Sequence, residues 1–127
     1  MQNRLLLLLI TLIVSFSTQA ATCPPVDQIN IAKPPVGWKV LLPPQIEDQE
    51  YHFTKAIHSY NPNFFYQHVI CVYEADESFF PPSFELISDA TYAKPNTVTE
   101  TWNEPAIIDQ TIMCAPEDYD PMLCKFE

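Results

Sequence analysis

Beyond residue 20, the side chains able to do chemistry are three histidines, two carboxylate runs, four serines and four cysteines. His52 and His58 share one face of an extended strand but stand about 20 Å apart at the strand rise, too far for one metal ion. In a helix they fall on different faces. His68 can oppose one of them only across a hairpin, so these histidines read as surface or rim residues. The carboxylates fall in two clusters, Glu74, Asp76 and Glu77, then Glu117, Asp118 and Asp120. The second occupies a short loop and is the candidate for weak calcium binding, because hard cations take several oxygens from one loop. No EF-hand pattern is present, and in so acidic a chain such runs also arise on an ordinary solvated face. No other cofactor is expected.

Nucleophilic catalysis needs a nucleophile and a base within hydrogen-bond reach. Ser59, Ser78, Ser83 and Ser88 lie in no nucleophile elbow, and Gly37 is the only glycine, which rules out a glycine-rich phosphate loop. Nothing selects a carboxylate pair for glycoside hydrolysis. The sequence therefore favours a non-enzymatic acidic binding module, with a small secreted hydrolase as the alternative. The binding candidates are aromatic: Phe79, Phe80 and Phe84 surround Pro81-Pro82, and Phe64, Phe65 and Tyr66 follow a predicted turn. Exposed, they would offer a rigid apolar patch to a protein or glycan; buried, they would lid the end of a small sheet.

The cysteines set the compartment. Residues 1–20 carry Arg4, an apolar run from Leu5 to Val14 broken only by Thr11, and small residues before Ala20, the layout of a secretory signal peptide cut between Ala20 and Ala21. Ten helical residues rise about 15 Å, half of a hydrocarbon core of about 30 Å, so no membrane span is expected after cleavage. The remaining stretch, 21–127, is expected to be a single disulfide-stapled β-rich domain in the bacterial periplasm or outside the cell. Cys23, Cys71, Cys114 and Cys124 contain no Cys-x-x-Cys pair and read as two disulfides rather than a zinc site. Three pairings exist. Cys114 with Cys124 is favoured by a short return through Pro116 to Pro121, leaving Cys23 for Cys71.

Charge narrows the partners. The formal charge of the chain is −10. Loss of residues 1–20 removes Arg4, the sole arginine, and leaves five lysines against 16 acidic residues. Such a surface repels nucleic acid and anionic lipid, and lacks the bidentate donor that grips phosphate.

These residues must be positioned by short elements, because 13 prolines interrupt the chain. Between the breaks, segments rich in β-branched and aromatic residues predict strands at Trp38–Leu42, Tyr51–Ser59, Phe65–Ala75, Phe84–Ser88, Thr97–Trp102, Thr111–Ala115 and Leu123–Glu127. Asn61-Pro62-Asn63 predicts a hairpin between the second and third of these. Phe53, Ala56, Ile57 and Tyr60 also fit helical spacing, so one short helix is allowed. In the third strand Val69, Cys71 and Tyr73 point one way and Ile70 and Val72 the other, which places it centrally with both faces covered. The expected fold is mainly β, a small antiparallel sandwich or open barrel with two disulfides.

The Cys23-Pro24 start, Gly37-Trp38, Cys71-Val72-Tyr73, Trp102, Cys114 and Cys124-Lys125-Phe126 together resemble small secreted bacterial proteins of unknown function with a two-disulfide, β-rich fold. The resemblance implies export and a disulfide scaffold, and brings no activity or site residues.

Overall fold

The computed structural model describes residues 21–46, 48–76, 80–92, 102–103 and 110–127. The expected signal peptide, Phe79, Glu77 and most of the Thr97–Trp102 strand lie outside these residues. Within them six strands run: β1 (Trp38–Leu42), β2 (Tyr51–Ser59), β3 (Val69–Ala75), β4 (Ser83–Ser88), β5 (Trp102–Asn103) and β6 (Thr111–Cys114). All pair antiparallel in one open sheet of order β1-β4-β3-β2-β6-β5. The fold is thus mainly β with two disulfides. Its helical content among the described residues is two single 3-10 turns, Val26–Gln28 and Pro121–Leu123. Residues Leu123–Glu127 contribute the end of the second turn and an isolated bridge from Phe126 to Ala21, not a further strand.

Alternation assigns the faces. Val69, Cys71 and Tyr73 of β3 lie in one core with Phe53 and Ala56 of β2, Phe84 and Leu86 of β4, Trp102 of β5, and Ile112 and Cys114 of β6. Among the described residues this face is covered by the stretches at 21–31 and 124–126 rather than by a second sheet. Cys23, Cys124 and Phe126 complete the core, and Ala21, Ile29 and Ile31 pack against it. The two disulfides place them there: Cys23–Cys71 ties the N-terminal stretch to the middle of β3, and Cys114–Cys124 folds the C-terminal stretch back over β6. Tyr73 donates its buried hydroxyl to the Pro24 carbonyl at 2.6 Å, and Trp102 donates its indole N–H to the Lys125 carbonyl at 3.0 Å. Burial raises the Tyr73 hydroxyl pKa well above its ordinary value, so it remains a donor throughout the neutral range.

β2 is a strand along its whole length, and the helical spacing noted in it has another origin. The register with β3 slips between Phe53 and Lys55. This bulge inserts Thr54 and lets Phe53 and Ala56, three residues apart, face the same core. It also separates two histidines expected on one face. Phe53 points into the core, so its neighbour His52 points away, whereas His58 lies across from Val69 and Ile112 on the core side.

The two bridges differ in the loop they close. Sequence separations of 48 and 10 correspond in the chain-entropy model to about 4 and about 3 kcal/mol. Replacing Cys23 and Cys71 by serine should therefore cost more than replacing Cys114 and Cys124, by about 1 kcal/mol or more, since the N-terminal cover loses its anchor as well. Denaturant midpoints of the two double variants measure the difference.

Candidate binding cleft

Two Pro-Pro pairs that are far apart in sequence meet at one end of the sheet. Pro43-Pro44 ends β1 and Pro81-Pro82 begins β4, and because the strands are antiparallel neighbours with Leu42 opposite Glu85, the pairs lie side by side. Proline fixes φ and removes a donor, so both strands stop there and the flanking chain stands off as rigid walls. At this end of the sheet is a cleft of about 350 Å³ lined by Leu42, Gln45 and Ile46 on one side and Phe80, Pro81, Pro82 and Ser83 on the other. Tyr51 holds one wall by donating its hydroxyl to the Ile46 carbonyl at 2.6 Å, and the Ala75 amide holds the other by donating to the Pro82 carbonyl at 2.9 Å.

Phe80 is 85% exposed at this site, with Ile46 and Leu42 partly exposed beside it. Of the two described aromatic candidates, Phe80 and Phe84, Phe80 is the one the structure places on a surface. Phe84 is a correction. Only 4% exposed, it stacks on Tyr73 with ring centroids 4.7 Å apart and belongs to the core. The alternation Ser83, Phe84, Glu85, Leu86, Ile87 already carried that signal, with Phe84 and Leu86 on one side. Phe64, Phe65 and Tyr66 are also partly exposed, in the β2–β3 turn at the opposite end of the hairpin. That turn is fixed by Ser59, whose hydroxyl donates to the Phe64 carbonyl at 2.5 Å, and by the Asn63 amide donating to the Asn61 side chain at 3.0 Å.

Beside the cleft the sheet face is charged. Directly opposite residues of antiparallel strands project to the same side, so Glu85 sits with Leu42 and Val72, Glu74 with Ser83, and Lys55 with Val72. Glu74 accepts from the Thr54 hydroxyl at 2.8 Å and lies 4.0 Å from the Lys55 ammonium. Burial raises the Glu85 pKa, and Lys55 opposes that rise. One ammonium thus serves two carboxylates. Further along, His52 lies 3.4 Å from Asp76 and packs on the Tyr119 ring, centroids 4.5 Å apart.

The remaining reactive groups have structural employment. Ser88 accepts from the Val69 amide at 2.9 Å and donates to the Ala90 carbonyl at 2.7 Å. His68 donates from Nδ1 to the Ser88 carbonyl at 2.8 Å. Glu117, Asp118 and Asp120 are not gathered into a ligand set: among the described residues no group of three or more histidine, cysteine or acidic side chains is placed to hold a metal. Asp120 instead caps the Pro121–Leu123 turn, accepting from the Met122 amide at 3.0 Å.

His58, expected as a surface or rim residue, is instead fully buried. Its Nε2 meets the Tyr92 carbonyl at 2.8 Å. A carbonyl only accepts, so Nε2 carries the proton and Nδ1 holds the lone pair. That atom is buried with no hydrogen-bond partner among the described residues, and the imidazole packs edge to face on the Tyr60 ring with centroids 5.0 Å apart. Burial depresses the His58 pKa below its ordinary value of 6.5, against the raising effect of the Tyr92 and Gln67 backbone.

No family model, curated protein or solved structure matches the chain.

The two shifted groups give stability slopes of opposite sign. His58 binds fewer protons folded than unfolded, so its contribution is complete above 6.5 and is lost as pH falls through its lower folded value. Glu85 binds more protons folded than unfolded, so its contribution is present below 4.5 and is lost as pH rises through its higher folded value. In melts across this range, Glu85→Gln should steepen the acid-side decline in stability, and His58→Phe should flatten it. Unchanged slopes in both variants would contradict these environments.

Proposed function

We propose that this chain is an exported, non-enzymatic acidic binding module whose ligand seats at the Phe80 cleft. The observation that carries this reading is an aromatic ring 85% exposed in a cleft shared with Leu42, Ile46 and the Pro81-Pro82 pair. A large apolar side chain kept out of the core is costly to leave in water and efficient at a centre of binding. Export is supported by the two disulfides and by Ala21, the first residue after the expected cut. Ala21 exchanges backbone hydrogen bonds with Phe126 at 2.8 and 2.9 Å, so the residue that follows the expected cut is itself tied into the fold. No helix among the described residues is long and apolar enough to cross a membrane.

The second reading, a small secreted hydrolase, draws on one observation. Glu74 and Glu85 share a face in unlike surroundings, the former hydrogen-bonded and beside an ammonium, the latter desolvated.

Immobilised protein lacking residues 1–20, incubated with exported proteins and a glycan array, separates the readings. The Phe80→Ala variant should retain the same melting temperature and lose ligand by about tenfold, the effect of a central contact worth about 1.4 kcal/mol. Retention unaffected by Phe80→Ala contradicts the cleft. Turnover of peptides, esters or glycans that vanishes in Glu85→Gln establishes the hydrolase.

A further inference from the structure

The sheet ends at β1 on the side of the cleft, so the outer main-chain groups of Trp38–Leu42 have no further strand beside them among the described residues. Leu42 is both the last residue of this edge and a wall of the cleft. Its register partner is Glu85, and Glu85 and Glu74 share the single cation Lys55. An edge with no strand beside it among the described residues, its Trp38 amide alone turned back to the Pro35 carbonyl, a cleft of mixed polar and apolar lining at its end and carboxylates one strand inward therefore coincide.

Resting on the binding-module reading above, we propose that the ligand is an extended cationic peptide segment of a partner protein. It pairs with β1 as an added strand, places an apolar side chain in the Phe80 cleft and extends a lysine or arginine over Leu42 toward Glu85. Strand addition suits this geometry because main-chain hydrogen bonds supply affinity while alternate side chains supply specificity. Strands lie about 4.8 Å apart, so a residue opposite Leu42 is two spacings, about 10 Å, from the Glu85 backbone. A lysine reaching inward and a glutamate reaching outward span that gap.

A second copy of the chain is a poor occupant of the same edge. Each copy carries a formal charge of −10, so pairing β1 with β1 would bring two strongly acidic chains together. Lys39 already lies 3.5 Å from Asp89 on its own chain. The charge that repels a copy attracts a basic segment.

The test uses two end-capped octapeptides, one alternating valine and lysine, the other valine and glutamate, titrated into isotopically labelled protein lacking residues 1–20. At low salt the lysine peptide should shift the amides of residues 38–42 and 80–83, and bind at least about tenfold more tightly than the glutamate peptide, an advantage that shrinks in about 0.5 M NaCl. Glu85→Gln should weaken the lysine peptide about fivefold and tighten the glutamate peptide, so that the difference between the two narrows. Shifts near residues 80–83 without a charge preference or without β1 would overturn the added cationic strand while leaving the cleft as a binding site. Failure of both peptides to saturate at about 1 mM would also overturn it, and the Phe80→Ala retention experiment then decides the binding reading separately.

Discussion

The fold depends on pinning the N-terminal stretch to the middle of a single sheet. A lone antiparallel sheet with an apolar face has no stable state in water until something covers that face. Here Cys23 and Cys71, both fully buried, join the cover to the central strand. Tyr73, two residues along on the same face, adds a hydrogen bond to Pro24. From this point the cover spreads outward. Ile29 and Ile31 pack over the core, Phe126 meets Trp38 and Tyr92 edge to face at 6.2 and 4.7 Å, and the bridge between Ala21 and Phe126 joins the two covering stretches to each other.

With the core face closed by these segments, the opposite face and the β1 edge are left to carry charge. Asp76, Glu74, Glu85, Lys55 and His52 lie there, and the bulge at Thr54 is what turns Lys55 into line with Val72 while keeping Ala56 inside. The same bulge explains why buried His58 and half-buried His52 have unlike roles. One is fixed to the Tyr92 carbonyl beneath the sheet, and the other faces Asp76 and Tyr119. The cleft follows from strand order. Because β1 lies beside β4, two proline pairs separated by the whole β2–β3 hairpin end adjacent strands together.

Much of the strand layout was legible. Trp38–Leu42 and Tyr51–Ser59 have the observed bounds because β-branched and aromatic residues fill the interval between proline breaks. Both faces of β3 read as apolar, and Ile70 and Val72 are indeed as enclosed as Val69 and Cys71. The covering layer was not legible as such: residues 21–31 have no strand or helix periodicity, Leu123–Glu127 has the composition of a strand, and both gain their place from disulfides and backbone bonds. The cleft was half legible. Phe80 and the proline pairs stood out by type, but their meeting with Leu42 and Ile46 depends on a crossover from β1 to β4 that local pattern does not encode. His58 was hidden for a similar reason: a bulge, invisible to a two-residue period, turns it inward.

Amide hydrogen exchange tests the pinned cover most directly. The Phe126 amide donates to the Ala21 carbonyl at 2.9 Å, outside the main sheet, so its protection reports on the cover alone. If the cover and sheet form one cooperative unit, Phe126 exchanges with the same opening free energy as the Val69 and Cys71 amides of β3, through global unfolding. Exchange of Phe126 at the rate of an unprotected amide, while β3 remains protected, would show that the sheet holds without its cover and would contradict the account.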